Sequence, residues 1–149
     1  LQGKKSTGRV EVLMTIDFIA FNEAEFHKSD GRKTAAFIPE NYISEASQRI
    51  PAYRQLAELT SVKELNDLIK NWRDRFGRPP LEVDTLLRCM EIKLQAHRAG
   101  CSSVEIKDHK LMLMRKGDYI LIAGKFPRLR EKSPPRDRLL EALELVRQL

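Results

Sequence analysis

The residues best suited to chemistry are few and poorly spaced for it. His27 lies in a polar stretch, His97 late in a helical pattern and His109 in a turn, so no two histidines have the paired spacing of a metal site. A site built from Cys89, His97 and Cys101 would need two ligands from different faces of one helix and a third beyond Gly100; two small apolar cysteines and a helix-end histidine account for these residues more simply. A cysteine nucleophile needs a neighbouring base, which the sequence does not reveal. Glu58, Glu64 and Asp67 fall on the polar sides of helical patterns. The stretch "GKKST" at 3–7 imitates the tail of a phosphate-binding loop, but a strand pattern follows where that loop requires a helix. No catalytic, metal-binding or cofactor-binding set emerges.

One segment concentrates charge and aromatics: "NWRDRFGRPP", residues 71–80. Its surroundings must decide whether it is a site or a helix end. The preceding "TSVKELNDLIKNWRDRFG" carries a Ser61-x-x-Glu64 capping box, places Leu65, Leu68, Ile69, Trp72 and Phe76 on one side, and stops at Gly77, which predicts a helix closed by a left-handed residue. Trp72 and Phe76, four apart on the apolar side, are expected in the core. Asp74 stands near the helix C-terminus, where the dipole disfavours a negative charge and favours Arg73 and Arg75.

The other elements follow from periodicity. Residues 10–21 alternate, with Val10, Val12, Met14, Ile16 and Phe18 on one side, and predict a strand. Residues 22–34 are polar, contain Asp-Gly, and predict a surface loop or hairpin tip; "AAFIP" at 35–39 is extended before its proline. From Ser44 the helical period puts Ala46, Ile50, Tyr53, Leu56 and Ala57 on one face, with Pro51 expected to kink the helix or mark its proper start. Pro79 and Pro80 open a third helix with apolar Val83, Leu86, Leu87, Met90 and Leu94, ending at Gly100. "SVEIKD", "KLMLMRK" and "DYILIAGKF" then predict three strands separated by Asp-His and Lys-Gly-Asp turns. After the charged, proline-containing "REKSPPR", the sequence "DRLLEALELVRQL" predicts a closing helix with Leu139, Leu140, Leu143 and Val146 inward. The fold class is α+β: an N-terminal strand, a hairpin-like group of three helices, antiparallel strands and a C-terminal helix. We expect one domain over 1–149, with 1–9 and 129–136 flexible or linker-like.

Composition bounds the function. No stretch has the length and apolarity of a membrane span. Two cysteines fit a reducing cytoplasm. The absence of an initiator Met and of an apolar signal core suggests a fragment or a mature chain, and the fragment is the favoured reading. The net charge of +6 resides at the ends: Lys4, Lys5 and Arg9 at one, and Lys125, Arg128, Arg130, Lys132, Arg136 and Arg138 against Glu131 and Asp137 at the other. This pattern argues against a basic recognition helix, but leaves Lys4, Lys5, Arg128, Arg130 and Lys132 as candidate phosphate contacts of a nucleic-acid-binding appendage.

Residues 49–80, "RIPAYRQLAELTSVKELNDLIKNWRDRFGRPP", resemble the C-terminal domain of the bacterial transcription-repair coupling factor family. The matching positions are Arg49, Tyr53, Leu56, Leu65, Asp74, Arg75, Phe76, Gly77 and Pro80. "FIPENYI" upstream and "LLRCMEIKLQAHRAG" downstream extend the likeness over about 36–107. The family often has an acidic residue where this chain has Asn71, and usually a longer C-terminal region; 22–34 looks inserted. The resemblance implies a bacterial, cytoplasmic parent that is an ATP-driven DNA translocase, dislodges stalled RNA polymerase and recruits UvrA. It implies that this domain is non-catalytic and acts as a lid on the parent's UvrB-like N-terminal module. The expected docking residues are Asn71, Asp74, Arg75 and Arg78. The partner of Asp74 is either Arg78 within the domain or a basic residue of the docked module. No cofactor is expected.

Overall fold

The computed structural model describes residues 10–149; Lys4, Lys5, Arg9 and "GKKST" lie outside them. Two strands, β1 (Leu13–Ile16) and β2 (Ile19–Ala20), precede a short helix α1 (Glu23–Lys28) and strand β3 (Thr34–Ala35). Helices α2 (Ala46–Ala57), α3 (Val62–Phe76) and α4 (Leu81–Arg98) follow, then strands β4 (Cys101–Lys107), β5 (Lys110–Arg115) and β6 (Asp118–Tyr119) and helix α5 (Pro135–Arg147). The architecture is α+β, as the periodicities require, with a four-stranded sheet in the order β1-β4-β5-β6. β4, β5 and β6 are antiparallel neighbours, while β1 pairs with β4 in parallel.

The β4–β5 hairpin turns through Asp108 and His109, both at positive φ (50° and 63°). That is the twist-compatible two-residue turn, and it pairs Lys107 with Lys110. α4 is the central element. Cys89, Ile92 and Ala96 are fully buried along with Val83, Leu86, Leu87 and Leu94, because α3, α5 and β4 all pack on it. The apolar stripe read from the sequence is therefore narrower than the buried surface, and Met90 is only partly covered.

Four local readings need correction. The single strand at 10–21 breaks at Asp17, whose N–H donates to Ile106 O, and Phe18, Ile19 and Ala20 are then buried in succession. Residues 22–34 are no hairpin tip. Asn22 Oδ1 accepts from Glu25 N–H at 2.8 Å and starts α1, and β2 pairs with β3 in parallel. The unit is a miniature strand–helix–strand crossover, since a parallel pair cannot be joined by a tight turn. In α2 the buried positions are Ala52 and Leu56, continued by Leu59, one residue round from the expected stripe; Ile50 is 59% exposed. Pro51 sits at the middle of α2, which runs unbroken from Ala46 to Ala57. In "DYILIAGKF" only Asp118 and Tyr119 extend the sheet. Ala123 and Gly124, both at positive φ, turn the chain so that Ile122 pairs with Lys125 and Tyr119 meets Phe126 edge-on.

In α5, Leu139, Ala142, Leu143 and Val146 face inward and Leu140 does not. Ahead of α5, residues 129–136 are held at several points. Leu129 is buried and its N–H donates to His109 O; Arg130 N–H and Ser133 Oγ both reach the Glu141 carboxylate; Pro135 and Arg136 already belong to the helix. Among the described residues, no helix is long and apolar enough to cross a membrane.

Candidate functional site

The segment 71–80 is the end of α3 and its turn into α4, and it is firmly anchored. Upstream, Ser61 Oγ accepts from Glu64 N–H, while the Glu64 carboxylate accepts from Thr60 N–H and Oγ1, each at 2.7 Å. Those hydrogen bonds to the charged form hold the Glu64 carboxyl below its usual range. Along the helix, Leu65 and Trp72 are buried, and Leu68, Ile69 and Phe76 pack against the core. Trp72 is 0% exposed, and its Nε1–H points to Gln55 Oε1 at 3.4 Å, tying α3 to α2.

The stop is sharper than a left-handed cap. Gly77 has φ 88° and ψ −168°, a region essentially confined to glycine, and its N–H closes on Arg73 O. Tyr42, from the segment before α2, completes the anchor. Its hydroxyl lies 3.0 Å from Gly77 O and 3.3 Å from Trp72 O, and its ring meets Phe76 edge-on with centroids 5.8 Å apart. Burial raises the Tyr42 phenol pKa, partly opposed by Arg73. Tyr53 also braces this side: its hydroxyl accepts from Ile38 N–H at 2.7 Å, and burial raises its pKa too. Tyr42 is the residue that sequence patterning missed. It stands in "FIPENYI", but nothing local shows that its hydroxyl spans to residues 72 and 77.

The polar members of the segment point away from that anchor. Asn71, Asp74 and Arg75, spaced three and four apart, share one helix face, and Arg78 follows the glycine; all four are exposed. The Arg75 guanidinium lies 4.8 Å from the Phe76 ring centroid. The ion pairs among the described residues are Lys63–Asp67, Arg88–Glu91, Arg147–Glu91 and Arg147–Glu144, so the Asp74–Arg78 contact considered from the sequence is not formed. Asp74 thus stands exposed near the C-terminus of α3, outside every ion pair among the described residues.

The remaining candidates are dispersed. Arg128, Arg130 and Lys132 are exposed along the strand-to-α5 connection, where Arg128 bridges to Lys110. Cys89 is in the core, where burial pushes its thiol up to about 12 and removes it as a nucleophile at neutral pH. Cys101 begins β4, its thiol also raised by burial. Chemically, the arrangement at 71–78 offers a rigid mixed-charge surface suited to a macromolecular contact.

An α+β module with this order of elements has a counterpart among solved structures. The crystal structure of a C-terminal domain of transcription-repair coupling factor superposes with a TM-score of 0.61 at 18% identity, covering 94% of this chain and 97% of that one. The likeness in fold thus extends well beyond 36–107. The TRCF domain family matches residues 33–119, and the chain belongs to that family. Among full-length relatives, the transcription-repair-coupling factor of Bacillus subtilis (strain 168) is 36% identical over 63 residues, 42% of this chain and 5% of the relative. That of Myxococcus xanthus is 27% identical over 111 residues, 74% of this chain and 9% of the relative. The chain therefore spans only a small part of these relatives' length.

Proposed function

We propose that this chain is the regulatory C-terminal domain of a bacterial, cytoplasmic transcription-repair coupling factor and works as an autoinhibitory lid. In this reading the parent is an ATP-dependent DNA translocase that displaces stalled RNA polymerase, and the domain covers the UvrB-like module until UvrA is to be recruited. The domain itself does not hydrolyse ATP. The observation that carries the reading is the α3 end. Asn71, Asp74, Arg75 and Arg78 are exposed beside a fixed Trp72–Tyr42–Gly77 anchor, and no ion pair among the described residues engages Asp74. A charge held in place and left without a partner suits recognition by a complementary surface.

The test is charge reversal, Asp74→Lys with Arg75→Glu, in the full-length parent. Loosening the lid should raise UvrA affinity, by a factor equivalent to about 1 kcal/mol if the contact is at an exposed rim and more if docking desolvates it. Unchanged UvrA affinity in a folded double variant rejects this surface. The competing reading, an appendage gripping nucleic acid through its basic ends, predicts instead that the 149-residue chain binds duplex DNA with a steep loss of affinity as salt rises. Removing residues 1–9 and neutralising Arg128, Arg130 and Lys132 would then abolish that binding.

A further inference from the structure

We propose that the cleft beneath the first turns of α5 is a binding site for a phosphate group carried by a small molecule, separate from the surface at 71–78. Its volume, about 770 Å³, falls within the roughly 300–1,000 Å³ of small-molecule sites. Three stretches far apart in sequence converge on it: residues 17–33, which supply the turn at 17–18, the end of α1 and Arg32 with Lys33; the β4–β5 turn; and Arg138 of α5.

The charges on its wall are unequally engaged. Asp17 Oδ2 accepts from Asp108 N–H at 3.0 Å, and Glu25 Oε1 accepts from Phe21 N–H at 3.2 Å and from the Asn22 amide at 3.1 Å. Asp108 is the lining carboxylate without such a bond among the described residues. By contrast, none of the ion pairs among the described residues includes Lys28, Arg32, Lys33 or Arg138. Arg32 Nε donates to Ser29 O at 2.7 Å, which fixes its guanidinium at the wall. Arg138 lies over the Phe18 ring, its Cζ 4.0 Å from the centroid.

Two of the cleft's lining residues each carry a buried polar atom without any hydrogen-bond partner in the protein: Arg138 Nε and His109 Nδ1. Folded proteins seldom leave such atoms unpaired, and both residues line the same cleft. A phosphate supplies several acceptor oxygens at once and matches the guanidinium fork. The acids Asp17, Glu25 and Asp108 on the same wall disfavour an extended polyanion such as duplex DNA, so the phosphate is expected on a compact ligand.

Inorganic pyrophosphate and ATP, titrated separately into the 149-residue chain, test this by backbone-amide and histidine-ring NMR. Saturable shifts centred on Ser29, Lys33, His109 and Arg138 are expected. The surface variant Lys28→Gln with Lys33→Gln should weaken binding about tenfold, and Arg138→Gln by at least as much. If Arg138→Gln loses its fold because Phe18 is uncovered, the lysine variant still decides. Tighter binding of ATP than of pyrophosphate identifies a nucleotide as the source of the phosphate; equal binding identifies the phosphate moiety alone. The proposal is overturned by failure of both ligands to saturate, by shifts centred instead on Arg128, Arg130 and Lys132, or by undiminished binding to the folded lysine variant.

Discussion

The end of α3 and the cleft under α5 both collect arginines and acids, yet they are built in opposite ways. At 71–78 the charges come from one short segment at a helix end and are exposed, while Trp72 beside them is buried and Phe76 partly so. In the cleft the charges come from three stretches distant in sequence, face a concavity and include buried atoms with no hydrogen-bond partner in the protein. The difference teaches what each can recognise. An exposed, solvated charge set on an anchored helix end is desolvated only when another macromolecule covers it, so its energetic value is decided by the partner. A concave set is already partly desolvated, so a compact ion can gain from it without a second surface.

The comparison depends first on the rigidity of the α3 end, and Trp72→Ala should break it most severely. Removing a fully buried indole that also meets Gln55 should cost about 3–5 kcal/mol in urea denaturation; a loss below about 1 kcal/mol would show that the indole is not the anchor. Gly77→Ala comes next. An added Cβ would meet nothing within 4 Å, so the whole cost is that of forcing alanine into the backbone conformation, about 1–3 kcal/mol. An unchanged stability would mean that the turn relaxes to another geometry.

Tyr42→Phe keeps the edge-on contact with Phe76 and removes only the hydroxyl between Trp72 O and Gly77 O. We expect a loss of about 0.5–1.5 kcal/mol by thermal denaturation. Asp74→Lys with Arg75→Glu should change the stability of the 149-residue chain by no more than about 0.5 kcal/mol, since exposed charges without strong intramolecular partners contribute little. A larger loss would place the role of these residues inside the domain and remove the reason for assigning them to docking.

The smallest expected effect is at alkaline pH. Burial raises the phenol pKa of both Tyr42 and Tyr53 above the ordinary value. A folded-state pKa above the unfolded one means that the stabilisation is complete below the unfolded pKa, about 10, and is lost as pH rises through the folded value. Stability should therefore decline above about pH 10, and ultraviolet titration of Tyr42→Phe should lose a late-ionising component. Retention of that component would assign it to another phenol.

Local chemistry made α3 legible. The Ser61 cap, the Glu64 reach-back, the apolar spacing through Trp72 and the terminal glycine all agree, and each depends on residues no more than one or two turns apart. The β4–β5 turn was legible for the same reason. α1 was not, although Asn22 and Glu25 form a local cap, because the Asp-Gly that follows signals a turn equally well. The α2 face was misread because periodicity marks which residues line up, whereas burial is decided by where the helix is laid.

The amino-acid sequence by itself determined the four helices after residue 44, the β4–β5 hairpin, the α+β class, the closing glycine at 77 and the spacing that puts Asn71, Asp74 and Arg75 on one helix face. These are consequences of backbone hydrogen bonding and side-chain spacing over a few residues, which the chain carries wherever it is placed. Tertiary structure alone decided that Tyr42 spans to Trp72 and Gly77, that β1 joins β4 in parallel, and that Lys28, Lys33, His109 and Arg138 share one cleft. The contacts from Tyr42 to Gly77 and from Asp17 to Asp108 cross 35 and 91 residues of chain. Separations of that length leave no local signature, because burying the common core, rather than any short-range preference, brings their ends together.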